Sequence, residues 1–130
     1  MIDIENQIIN LITIELRKKY PKIEIINDYS NSPKKLPCVY VLEEDNENIE
    51  NYSLNNRVEV SNKITYLIEV YTDGKNKKQL GKEIFIEINN ILNKVNFSRT
   101  LSNGIKNADK NIYRHVGRFT CVVDNKNILY

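Results

Sequence analysis

Residues 104–124 read GIKNADKNIYRHVGRFTCVVD, a polar turn followed by one long strand pattern. Side chains alternate along a strand, so residues two apart share a face. One set is Tyr113, His115, Gly117, Phe119, Cys121 and Val123. The other is Ile112, Arg114, Val116, Arg118, Thr120 and Val122. The first set can fill a core. The second is half apolar and half cationic, and its two arginines stand about 13 Å apart at roughly 3.3 Å per residue. Such a face suits a surface that meets something.

Working outward, residues 77–96 have helical spacing, with Leu80, Ile84, Ile88, Ile91, Leu92 and Val95 as the core stripe. Gly81 lies inside that stripe, where a missing side chain permits close approach. Ile86 points to the polar side, as a subunit contact would. Residues 57–73 alternate, with Val58, Val60, Ile64, Tyr66, Ile68 and Val70 on one face, interrupted by Asn62. A length well above the usual five or six residues means one strand projecting beyond the sheet, or two joined near residues 61–63. Asp73-Gly74 closes the segment as a turn. Residues 38–42, CVYVL, form a continuous apolar run, expected as a central strand apolar on both faces. Residues 43–56 are acidic and Asn-rich, expected as a solvated loop.

The beginning of the chain predicts a helix over residues 3–20, capped by Asp3 and stopped by Pro21. Ile4, Ile8, Leu11, Ile12 and Leu16 share its apolar side, and Glu15 within that arc is expected to reach outward. A short strand follows at 23–26, then a loop over 27–37. Beyond the second helix the expectation is a strand at 97–101, a loop to Asp109, the arginine strand, and a tail strand at 127–130.

This order predicts one α+β domain over residues 1–130. An antiparallel sheet of about four to six strands would carry two helices on one face. Two helices cover only one side of such a sheet. The other side is expected to hold Val39, Val41, Leu67, Tyr71, Val116 and Val122 among charges. A monomer rarely leaves such a patch wet, so the pattern argues for self-assembly or a partner. With Arg114, Arg118 and Ile86, the residues Val39, Val41, Leu67 and Tyr71 make up the candidate interface.

The chain has 130 residues, 41% hydrophobic and 28% charged, with net charge +2. That balance is too mild to imply nucleic acid or an acidic membrane by charge alone. No apolar run is long enough to span a bilayer, and the opening MIDIE lacks the features of a signal peptide. Cys38 and Cys121 lie within strand patterns and read as buried free thiols. His115 is the one histidine, on the aromatic strand face, and reads as a core residue. The basic run from Gly74 to Lys82 is not a phosphate loop. Six residues separate Gly74 from the Gly81-Lys82 pair, where the pattern needs four, and Glu83 follows in place of Ser or Thr. No catalytic, cofactor-binding or metal-ligating set is assigned, and the expectation is a protein that is not an enzyme and carries no cofactor.

The order of elements resembles the tail terminator (tail-completion) proteins of tailed phages and prophages of Gram-positive bacteria. The carriers are Lys18-Lys19-Tyr20-Pro21 ending the first helix, Ser32-Pro33 and Leu36-Pro37-Cys38 entering a central strand, and the strand at 64–71. The second helix running into Asn96-Phe97-Ser98-Arg99-Thr100 is a further carrier, and Ile112-Tyr113-Arg114 with Gly117-Arg118-Phe119 completes the set. The resemblance implies a structural virion protein, assembled in the host cytoplasm. It would form a hexameric ring at the head-proximal end of the tail tube, terminate tube polymerisation and dock to the neck or head. Its implied partners are further copies of itself, the tail tube protein and a neck or head-completion protein. DNA passes through the lumen without sequence-specific binding, and no membrane, cofactor or catalysis is involved. The arginine face and the acidic segment are candidate opposite patches of a heterologous ring contact. Three other readings stay open: a head-closure or neck connector of the same machine, a nucleic-acid-binding module using Arg114, Arg118, Lys75, Lys77 and Lys78, and a small enzyme, which would need a convergent polar pocket.

Overall fold

A computed structural model describes residues 1–28, 35–49, 61–124, 126 and 129. The elements are α1 (Glu5–Lys19), β1 (Glu24–Ile26), β2 (Cys38–Asn48), β3 (Ser61–Asp73), α2 (Lys77–Asn93), β4 (Ser98–Ile105) and β5 (Ile112–Asp124). The strands form one five-stranded sheet in the order β1-β2-β3-β5-β4. The expected α+β class holds. The sheet is mixed rather than wholly antiparallel, because β1 runs parallel to β2. The chain between these two strands covers residues 27–37, a long connection of the kind parallel neighbours need.

The local chemistry explains most boundaries. The N-cap position of α1 belongs to Ile4, not Asp3, although the Asp3 carboxylate accepts the Glu5 N–H at 3.0 Å. Arg17, Lys18 and Lys19 sit in its last turn, where cations offset the negative end of the helix dipole. Ile8, Ile12 and Leu16 are buried. Glu15 reaches outward as expected and meets Lys18 at 2.9 Å. Helix α2 ends at Asn93, earlier than the periodicity suggests. Asn96 then takes a positive φ of 70°, a conformation asparagine tolerates, and the Phe97 N–H closes on the Leu92 carbonyl at 3.0 Å. Gly74, with φ 89°, supplies the turn between β3 and α2.

Two strands outrun their sequence patterns. Strand β2 continues through Glu43, Glu44, Asp45 and Glu47 to Asn48, so this part of the acidic segment is strand, not loop. Backbone pairing with β3 overrides the poor strand propensity of these residues. The rest of the expected loop, residues 50–56, and residues 57–60 lie outside the described residues. Strand β4 likewise runs on to Ile105, because its backbone pairs with β5 over that length. Strand β3 pairs with β5 without interruption from Ser61↔Asp124 to Asp73↔Ile112, so no turn divides it at 61–63. Of the expected tail strand, Leu129 makes an isolated bridge to Val123.

Both helices contribute to a single core over one sheet face. Ile8, Ile12 and Leu16 of α1 and Ile84, Phe85, Ile88 and Leu92 of α2 join Val39, Val41, Ile64, Tyr66, Ile68, Val70 and Phe119 in it. Asn62 does not break this face. It is buried, and its amide donates to the Asn46 side chain at 2.6 Å, which donates in turn to the Ile2 carbonyl at 2.7 Å. Two glycines bring α2 close to β5. A Cβ at Gly81 would lie 2.5 Å from Tyr113 Cδ2, and one at Gly117 would collide with the Phe85 ring and stand 3.0 Å from the Leu101 carbonyl.

Gly117→Ala should therefore lower stability by about 1–3 kcal/mol through overpacking. Urea unfolding checks this, and the added change Phe85→Leu should recover part of the loss.

Candidate interaction surfaces

Strand register decides which residues share a face. Leu67 pairs with Arg118, Glu69 with Val116 and Tyr71 with Arg114. Across the other edge of β3, Leu42 pairs with Leu67, Tyr40 with Glu69 and Cys38 with Tyr71. These residues all lie opposite the helices. Leu67, Tyr71, Val116 and Val122 thus lie on the face where the sequence places them. Val116 is buried there, however, as are Cys38, Tyr40 and Glu69, so the expected open apolar patch narrows to the half-buried Leu42, Leu67, Tyr71 and Val122. Val39 and Val41 do not lie on that face. They pair with Val70 and Ile68, are fully buried, and belong to the core beneath the helices. A run apolar on both faces carries no parity signal, so only the register reveals which way each residue points. Ile86 is 57% exposed on the outer side of α2, as expected.

Arg114 and Arg118 share the helix-free face, and each is answered within the chain. Glu69 is 2% exposed, and Arg114 Nη2 donates to its Oε1. The Tyr71 hydroxyl donates to the other Glu69 oxygen at 3.3 Å. The Tyr71 ring meets Tyr40 edge-on at 5.4 Å, and the guanidinium lies 5.8 Å from the Tyr71 ring centre. Arg118 is more open. Its Nε donates to both Glu44 oxygens, at 3.0 and 2.9 Å, and the two side chains are 43% and 39% exposed. The β2–β3 register shifts between Glu43 and Asp45, so Glu44 occupies a bulge, which re-aims a side chain. Sequence reasoning missed Glu69 and Glu44. Glu69 stands out as the one acid between Leu67 and Tyr71, but its link to Arg114 spans two strands.

Under α2, His115 bridges two hydroxyls. Its Nδ1 lies 2.7 Å from the Tyr113 oxygen and its Nε2 lies 2.9 Å from Ser102 Oγ, with the Phe85 ring 4.4 Å away. Burial, then the charges of Lys82 and Arg99, hold its pKa below the ordinary value. A serine beside a histidine suggests nucleophilic catalysis. The surroundings oppose it, because the third group is a phenol rather than a carboxylate and two cations disfavour the imidazolium that proton transfer would create. Cys38 and Cys121 are free and buried. Burial pushes both thiols up to about 12, which leaves them inert.

Two charged regions stand out. In one, the acceptor oxygens of Asp3, Glu5 and Glu43 lie within 4.8 Å of one another. Burial, then the Glu5 and Asp3 charges, raise the Glu43 pKa. Asp45 and Glu47 follow on β2 but pair with Thr65 and Lys63, past the bulge, and so lie on the other sheet face. The trio has the donors for a hard cation, but no further group points to one. In the other, a cleft of about 590 Å³ opens between the first turns of α2 and the β4–β5 turn. Lys77, Lys78, Lys82, Lys106 and Lys110 line it, beside Tyr113. Its one acid, Asp109, turns its carboxylate to the Asn111 N–H at 2.9 Å.

No helix among the described residues is long and apolar enough to cross a membrane. Comparison with protein-family models and with curated proteins finds no match for this chain.

The two arginines should behave differently on removal. Arg114→Met leaves a buried carboxylate without its cation and should cost about 3 kcal/mol, largely recovered by adding Glu69→Gln. Arg118→Ala breaks an exposed pair and should cost under about 1 kcal/mol. Denaturant midpoints of the three proteins measure the contrast.

Proposed function

We propose that this chain is a structural virion protein of the tail-terminator type. It would form a ring at the head-proximal end of a phage tail tube, stop tube growth and dock to the neck. The observation that carries the reading is the one-sidedness of the fold. Both described helices cover one sheet face, and the other presents Leu42, Leu67 and Val122 beside the exposed Arg118–Glu44 pair. This arrangement suits burial against a neighbour better than catalysis. The order of sequence elements supplies the particular assembly.

The physical task explains what such a protein needs. A tube is an open heterologous stack, and each end ring templates the next. A terminator must bind that end on one side and refuse another ring on the other. Within its own ring each copy also needs two unlike patches that meet head to tail. Neither need calls for a cofactor or a reacting group. Arg114, held to buried Glu69, then serves the folded sheet, while Arg118 and Glu44 stay open to a partner.

A deletion strain examined by electron microscopy tests the function. The expected outcome is tails of uncontrolled length that fail to join heads. Tails of normal, uniform length with unjoined heads would instead favour a head-side connector.

A further inference from the structure

We propose that the lysine cleft between α2 and the β4–β5 turn binds the phosphate backbone of a nucleic acid duplex without reading its sequence. The site belongs to a single copy, so it stands apart from the ring reading above and does not depend on it.

The cleft holds positive charge that its own chain does not answer. Lys77, Lys78 and Lys82 line it from α2, and Lys106 and Lys110 from the turn. None of the five forms a salt bridge among the described residues. Lys78, Lys82, Lys106 and Lys110 are exposed. Asp109 is the one acid in the lining, and its carboxylate accepts the Asn111 N–H at 2.9 Å. The first turn of α2 holds no acidic residue, and its N-cap Asn76 makes no side-chain cap. The leftover N–H groups of that turn add to the positive potential, as at helix starts that hold phosphate. The mild net charge of +2 conceals this concentration, because it averages over the whole chain.

The chemistry of the lining selects the ligand. Five ammonium groups suit a polyanion, since one phosphate or carboxylate would leave most of them unmet. Lys78 and Lys82 stand one helical turn apart, about 6 Å along the axis, so neighbouring phosphates can meet each. Carboxylates are the poorer match. On the sheet this chain answers Glu69 and Glu44 with arginines, whose fork fits a carboxylate. The cleft holds only lysines, which act as point charges. Its lining has little that would read a base. Asn107 donates to the Asp109 carbonyl within the turn at 3.4 Å. Tyr113, the one aromatic, is fixed by packing against Gly81 and by the contact of its hydroxyl with His115 at 2.7 Å. With no second ring to hold a run of stacked bases, a single strand gains little over a duplex, whose charge per unit length is about twice as high. The nucleic-acid footprint expected from the sequence thus shifts. Lys77 and Lys78 belong to it, while Arg114 and Arg118 are engaged with Glu69 and Glu44 on the helix-free face. Lys82, Lys106 and Lys110 take their place.

Fluorescence anisotropy with short labelled DNA duplexes of unrelated sequence tests the site. Wild type should bind them alike at low salt, and log affinity should fall with log salt at a slope of about −4, roughly −0.9 for each phosphate met. The cleft variant Lys78→Gln, Lys82→Gln, Lys106→Gln should bind about tenfold more weakly and lose about 3 from that slope. The control Lys22→Gln, Lys63→Gln, Lys126→Gln removes the same charge elsewhere and should stay within about twofold of wild type. Circular dichroism establishes that both fold. Lys106→Glu, a single change in the turn, gives a second reading and should bind about threefold more weakly. Equal losses in the cleft variant and the control would overturn the site, leaving only diffuse attraction. An absence of binding at low salt, a preference for one sequence, or tighter binding of a single strand would also overturn it. The same holds if inorganic triphosphate or polyglutamate competes as well as unlabelled duplex at equal charge. Normal tails in the deletion strain would remove the terminator reading and leave this site standing. Uncontrolled tails, with a cleft variant that binds duplex as wild type does, would remove the site alone.

Discussion

The unbroken ladder between β3 and β5 is the constraint on which the rest depends. Every residue from Ser61 to Asp73 has a partner on β5. That register sorts alternate side chains onto two faces that differ in chemistry. Ile64, Tyr66, Ile68 and Val70 go under the helices with Phe119 and Cys121. Thr65, Leu67, Glu69 and Tyr71 go to the other side with Arg114, Val116, Arg118 and Thr120. A slip of one residue would put Glu69 into the apolar core and expose the aromatic set, so the register is strongly specified.

The ladder also explains why the sheet tolerates polar groups at its centre. Glu69 is buried on a central strand, where an unpaired carboxylate would be costly. Arg114, on the paired strand, brings a cation to it, and Tyr71 supplies a hydroxyl. Asn62 is answered similarly by Asn46, which also ties the Ile2 carbonyl to β2. Such contacts specify pairing as much as they add stability. The arginines that look like a free surface in the sequence are therefore partly structural. Arg114 holds the sheet, and Arg118 remains open beside Glu44.

Much of the architecture was legible because it rests on local periodicity. The core stripes of α1 and α2, the alternation along β3 and β5, the turn at Gly74 and the close approach at Gly81 all follow from spacing. The parity of Val39 and Val41 was not legible, because CVYVL is apolar at every position. Strand β2 beyond Leu42 was hidden by acidic residues that the ladder holds in place. Phe85 was overlooked in the core of α2, although the collision that a Cβ at Gly117 would suffer shows how closely the two fit. The pairings of Glu69 with Arg114 and of Glu44 with Arg118 link residues 45 and 74 positions apart, and no local pattern reports such contacts. The lysine cleft joins the start of α2 to the β4–β5 turn. Its α2 lysines read as a basic turn, and Lys106 and Lys110 join them only in the fold.

Native mass measurement of the chain, alone and with the tube protein of its own source, tests the proposed ring. A discrete species near six copies is expected in the presence of the tube, six times 15.3 kDa or about 92 kDa for this chain's share. A single copy under both conditions, at concentrations where the tube itself assembles, would contradict it.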